Sequence, residues 1–231
     1  MVIFFPDSIN FYRRIVPKDR IWYLGITRLL AFLALFMMLF QPLILLPPAH
    51  MFFTFFTNWG MMLTLITFAL LFISTCLNES TCISLHKFAY LMFEISLIAE
   101  CVITLFFWGV LVPYNPKYFN GITRSFITTE FHSVPFFALI IEFSISRMRF
   151  QLNHIPLVFI PALCYMIFSI ILSHVYDIVP YPMLDWKSLT SAFVAIGLIA
   201  LFLGFFMLCY FIGKKISDEE SNAGLTEFNP S

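Results

Sequence analysis

Six stretches of about 20 or more mostly apolar residues run the length of this chain, and no other feature narrows its fold as much. They cover residues 21–46, 52–76, 88–113, 126–146, 155–175 and 188–213. A helix rises 1.5 Å per residue, so about 20 apolar residues cross the roughly 30 Å hydrocarbon core of a bilayer. Prolines punctuate the gaps (Pro47, Pro48, Pro113, Pro116, Pro180 and Pro182), where a missing N–H does least harm. Of the 231 residues 61% are hydrophobic and 11% are charged, against about 45–50% and about 25% in soluble domains. A water-soluble core cannot hide so much apolar surface. The expected fold is therefore all-α: an integral membrane bundle of six transmembrane helices over residues 21–213. A short N-terminal segment (1–20) and a polar, mobile tail (214–231) flank it.

Charge sets the expected orientation. Arg13, Arg14, Lys18, Arg20, Lys87, Arg147, Arg149, Lys214 and Lys215 collect on one side, and only Lys117, Arg124 and Lys187 on the other. The excess marks the cytoplasmic face, which puts both termini inside and loops 47–51, 114–125 and 176–187 outside. The sequon at Asn78 to Ser80 then lies inside and stays unglycosylated. The apolar run after the N-terminal charges is too long for the core of a secretory signal. A formal net charge of +0 gives no electrostatic basis for a nucleic-acid partner; the expected partner is the lipid bilayer. Cys76, Cys82, Cys101, Cys164 and Cys209 form no CxxC pair and read as buried thiols rather than a disulfide frame.

Ionisable groups inside a span are costly, so each one has to turn towards the bundle interior. With the orientation above, Thr54, Thr57 and Asn58 in the second span share one outer layer with His132 and His174. Arg28, Glu94 and Glu142 lie in the inner half, and Glu100 near the middle. Arg28 with Glu142 is the simplest ion pair, and Glu94 competes for the same guanidinium. Thr57, Gly60, Thr64 and Thr67 recur at three- and four-residue spacing, which makes a small, hydroxylated face suited to close helix packing. A second meaning exists for Thr57: a hydroxyl becomes a nucleophile when a neutral imidazole takes its proton, and His132 lies at its depth. His132 could equally bond a carbonyl across helices. One haem between His132 and His174 is geometrically possible. A zinc site would need those two with Asp177 or Asp185, and no H-x3-H or HExxH spacing supports it. No metal and no cofactor is expected.

Several segments resemble the androgen-induced gene 1 family, which includes the androgen-dependent TFPI-regulating protein. They are "FFTNWGMMLTLITF" with Thr57, "HSVPFFALIIE" with His132, Pro135 and Glu142, "HVYDIVPYPML" with His174, Tyr181 and Pro182, and the pair Phe107 and Trp108. The likeness runs from about residue 50 over most of the chain. It implies a six-helix membrane hydrolase of lipid esters, cleaving fatty acid esters of hydroxy fatty acids, with Thr57 as nucleophile and His132 as base. Thr54 offers a second register for the nucleophile, and Asn58 or backbone N–H groups are candidates to stabilise an oxyanion. Glu142 lies about 15 Å deeper on its helix than His132, so it is expected to hold helices rather than complete a triad. The strings "FTNW" and "YPMLDW" also resemble the rolling-stone family, which implies the alternative of a non-enzymatic multipass membrane protein. No KDEL signal ends the chain, and endoplasmic reticulum and plasma membrane both fit.

Overall fold

The structure is a computed structural model and describes residues 15–45, 49–77, 82–114 and 121–222. Arg13, Arg14, Lys117, the sequon at Asn78 to Ser80, Pro47, Pro48, Pro116 and the tail after residue 222 lie outside the described residues. The described residues form α1 (Ile21–Leu45), α2 (Phe56–Cys76), α3 (Ile83–Phe106), α4 (Ile122–Phe131), α5 (Val134–Ile145), α6 (Ile155–Val175) and α7 (Leu189–Asn222). Helix α3 continues through a π-helical turn (Phe107–Leu111) into a last helical turn (Val112–Tyr114). Counting α4 with α5, six segments are long and apolar enough to cross a membrane. The protein is an all-α, multipass membrane bundle.

Four boundaries differ from the expected spans. The second span starts at Phe56, because Ala49–Thr54 winds as a 3-10 helix. The third begins earlier, at Ile83. The fourth begins at Ile122 and breaks at His132 and Ser133. Pro135 explains the break: it has no N–H for the Phe131 carbonyl, and its ring presses on that same carbonyl. The last helix runs on into the expected polar tail as far as Asn222, with Lys215 and Glu219 4.0 Å apart at the helical i,i+4 spacing.

Helix α3 is the axis. Of its most apolar stretch 61% is buried, against 22% for α1, α6 and α7. It packs on α2, α5, α6 and α7, while α1 packs mainly on α2. Large apolar side chains on the outside, such as Trp22, Met37, Phe137, Ile167 and Phe211, are exposed. Lipid is the solvent that makes this arrangement stable, because it removes the cost of leaving them uncovered.

The small face of α2 lies against this axis. Thr57, Gly60, Thr64 and Thr67 are all buried. A Cβ at Gly60 would come within 2.4 Å of Ile103 Cδ1 and 2.7 Å of Glu100 Oε1, so the glycine leaves room for the ends of those two side chains against α2. Thr67 Oγ1 donates to the Met92 carbonyl at 3.1 Å and shares a hydrogen bond of 2.8 Å with Ser96. The cysteines are free thiols; Cys101 and Cys209 are buried, but Cys76, Cys82 and Cys164 are exposed rather than buried.

Candidate active site

The first turn of α2 is fixed by groups that would otherwise be unsatisfied at a helix start. Thr54 Oγ1 donates to the Met51 carbonyl at 2.7 Å, and Asn58 Nδ2 donates to the Phe52 carbonyl at 2.5 Å. The Tyr165 hydroxyl donates to the Thr54 carbonyl at 2.8 Å, and the Phe56 N–H donates to the Tyr181 hydroxyl at 3.1 Å. Thr54 and Asn58 are thus occupied in tying the preceding 3-10 turn to the helix. Neither lines the cavity described below. The amide of Asn58, one candidate for an oxyanion donor, is held to the Phe52 carbonyl.

Thr57 points the other way. Its Oγ1 lies 3.1 Å from His132 Nε2, across 75 residues of sequence, and the threonine is only 7% exposed. His132 sits at the break between α4 and α5, and its Nδ1 lies 2.8 Å from the Thr128 carbonyl. A carbonyl can only accept, so the neutral ring carries its proton on Nδ1 and turns the Nε2 lone pair to the threonine hydroxyl. The ring plane is held as well. Phe107 stacks on it with centroids 3.5 Å apart and planes 19° from parallel. Phe107 opens the π-helical turn, a one-residue widening that re-aims side chains and recurs at functional sites. Thr104 Oγ1 donates to the His132 carbonyl at 2.9 Å, satisfying a group that the helix break sets free.

The pair opens on a cavity of about 210 Å3. Its walls come from α2, α3, α6 and α7, and they are apolar except at Thr57, His132, Tyr165, Tyr181 and Trp186. The loop after α6 forms the roof, with Tyr181 and Leu184 buried on the inner side. Asp177 and Trp186 hold left-handed backbone, at φ 55° and 56°, which costs about 1–3 kcal/mol each for residues other than glycine. Hydrogen bonds keep the loop in that shape. Trp186 Nε1 donates to Ser169 Oγ at 2.9 Å, and Ser173 Oγ donates to the Asp185 carbonyl at 2.5 Å. Asp185 Oδ1 accepts from the Ser191 hydroxyl, the Lys187 N–H and the Ser188 hydroxyl, which together hold its carboxyl below the usual carboxylate range.

His174 stands apart from this site. It is exposed on α6, bonds its own helix through Nδ1 and the Ile170 carbonyl at 3.1 Å, and does not line the cavity. It is therefore no support for His132, and the two imidazoles do not share a pocket. Among the described residues no three His, Cys, Asp or Glu side chains come together as a metal-binding group.

The opposite half of the bundle gathers the other ionisable groups. Arg28 and Glu142 do pair: Nη2 lies 2.6 Å from Oε1, with both side chains essentially inaccessible. Arg28 also donates to Thr75 Oγ1 at 2.7 Å and to the Ile15 carbonyl at 2.6 Å, so one guanidinium ties α1, α2, α5 and the N-terminal segment together. Glu94 does not join them. It accepts from His154 Nδ1 and from the Gln151 N–H at 3.0 Å. The 3-10 turn Leu152–His154 folds back onto α3 and gives Glu94 a nearer partner than Arg28.

The Thr128 carbonyl, Phe107 as the stacking ring, Thr104 and the Tyr181 hydroxyl were not read from sequence as parts of the site. Pro135 carried the available signal for the first, since a proline three residues after a histidine breaks the helix there. Compared with known proteins, the chain matches no family model, no curated relative and no solved structure.

Proposed function

We propose that the protein is an intramembrane hydrolase of long-chain lipid esters, with Thr57 as nucleophile and His132 as general base. One observation carries this reading: a threonine hydroxyl 3.1 Å from an imidazole nitrogen whose other nitrogen is occupied by a carbonyl, at the wall of an otherwise apolar cavity. A pair used only for packing has no need of a cavity beside it. The resemblance to the androgen-induced gene 1 family points the same way and narrows the substrate to fatty acid esters of hydroxy fatty acids.

The chemistry runs in two halves. His132 Nε2 takes the Thr57 proton as Oγ1 attacks the ester carbonyl carbon, and the carbonyl electrons move to oxygen. Collapse of that adduct expels the alcohol oxygen, which takes the proton back from the imidazolium and leaves as a hydroxy fatty acid. Water then loses a proton to Nε2 and attacks the acyl-threonine. Its collapse restores the Thr57 hydroxyl and releases the free fatty acid. The oxyanion forms beside the first turn of α2, where the helix dipole is positive. Thr128, through its carbonyl, orients the imidazole and takes the place that a carboxylate holds in a triad.

With both termini cytoplasmic, the site lies in the outer half of the bilayer, in the endoplasmic reticulum or the plasma membrane. Purified protein in proteoliposomes is expected to release fatty acid from such an ester. Thr57→Ala and His132→Ala are expected to abolish release at unchanged expression, and Thr57→Ser to retain part of it. A Thr57→Ala variant as active as wild type would end this reading and favour the non-enzymatic, rolling-stone alternative.

A further inference from the structure

The cavity is walled on one side by two helices that barely touch. Helices α6 and α7 each pack on α3, yet they do not form a packed pair with each other. Ala162, Leu163 and Met166 on α6 face the same cavity as Ala195, Leu198 and Ile199 on α7. Leu163 is nevertheless 51% exposed and Ile199 45% exposed. A side chain that lines a cavity and is also half exposed marks the place where the cavity reaches the outside.

The gap has a floor and a roof. Phe159 and Phe202 meet across it with ring centroids 5.7 Å apart. The roof is the Tyr181, Leu184 and Trp186 side of the loop after α6. On α7 the lining runs from Ala195 to Phe202, seven residues or about 10 Å of helix. Pro161 interrupts the hydrogen-bond ladder of α6 one residue before Ala162, which is the usual origin of a bend in a helix. Every side chain named on the rim is apolar, and the rim lies within two membrane-spanning helices. Water has no favourable path through such a rim, whereas a hydrocarbon chain from the bilayer meets only apolar side chains there.

We infer that the gap between α6 and α7 is a lateral portal through which the acyl chain of a bilayer lipid slides into the cavity, with Leu163 and Ile199 as its rim. What happens to the lipid inside rests on the hydrolase reading above; the portal itself rests on the lining and exposure of α6 and α7.

The test uses the full chain in phosphatidylcholine nanodiscs and a long-chain fatty acyl ester with a diazirine near the end of its chain. After photolysis, adducts are mapped by mass spectrometry. A short-chain fluorophosphonate reports separately on Thr57. Adducts on Leu163, Met166 and Ile199 are expected about tenfold above those on Met37, a lipid-facing residue of α1, the scale on which an apolar pocket discriminates. Leu163→Trp with Ile199→Trp is expected to erase the excess and leave the Met37 adducts unchanged. Adducts at the gap no denser than those on Met37 in wild type overturn the portal, whatever the fluorophosphonate shows. Adducts there in excess with Thr57 unlabelled keep the portal and remove the hydrolase. Because the wild-type map needs no substitution, the result does not depend on a variant that folds.

Discussion

Among the described residues His154 and His132 each hold a hydrogen-bonded side-chain partner, and the difference between the two separates structure from chemistry. His154 is paired with a carboxylate, Glu94, in a site with no exposed side chain. The same half of the bundle holds Arg28 and Glu142, whose polar atoms are met from three helices and the N-terminal segment. His132 is paired with a hydroxyl and a backbone carbonyl beside an apolar cavity. His154 commits its Nδ1 to a carboxylate and clamps two segments together. His132 commits Nδ1 to a carbonyl and turns Nε2 to a hydroxyl, the arrangement in which a ring can take that hydroxyl's proton. Both pairs lean on the α3 segment, through Glu94 at one and Phe107 at the other, about 20 Å apart along its axis. One half locks its ionisable groups to one another; the other has a cavity beside Thr57 and His132.

Substitutions should separate the two halves. The largest effect is expected on activity: His132→Ala should cost about 10²–10⁴-fold in ester hydrolysis. Thr57→Ala should cost at least as much, and the double variant no more than the worse single one, since the two act as a unit. Thermal stability should hardly change in either. The opposite pattern is expected at the other end. Arg28→Met leaves the Glu142 charge buried alone and should destabilise the bundle by about 3–5 kcal/mol. The double variant Arg28→Met with Glu142→Leu should recover much of that loss. Unfolding in detergent, followed by circular dichroism, measures both, and turnover per folded molecule should stay near wild type.

Two smaller effects sharpen the comparison. Gly60→Ala forces a methyl group onto Ile103 and Glu100 one turn below Thr57. Those two side-chain ends have to shift, so it should cost about 1 kcal/mol, at the low end of overpacking, and leave turnover near wild type. Asp185→Ala should act only on the roof. The carboxyl there is held below its ordinary value, so its contribution is complete above about pH 4 and fades as the pH falls through the lowered folded value. Amide protection in the loop between α6 and α7, relative to the intrinsic exchange rate at each pH, should therefore fall in acid for wild type. In Asp185→Ala that protection should be low at every pH.

The spans were legible because hydropathy over 20 residues depends on little besides composition. Arg28 with Glu142 was legible for a related reason: the cost of burying either charge alone demands a partner. Glu94 went to His154 because a loop folded back, a tertiary event that helical spacing does not encode. His174 is exposed on α6 and away from the cavity, and an expected depth says nothing of rotation about the helix axis. The π-helical turn at Phe107 has no signature in residue type. Tyr181 reaches Phe56 across 125 residues, a contact that only the folded roof creates. The break at His132 was written in Pro135, and a stricter reading of that proline would have found the Thr128 carbonyl.

Site-resolved labelling with a fluorophosphonate tests the two-histidine account most directly. Wild type, Thr57→Ala, His132→Ala and His154→Ala would be compared in the same membranes, with the adduct located by mass spectrometry. The account predicts an adduct on Thr57 in wild type and in folded His154→Ala, and none in the other two. An adduct on another residue, or a Thr57 adduct that persists in His132→Ala, would contradict it.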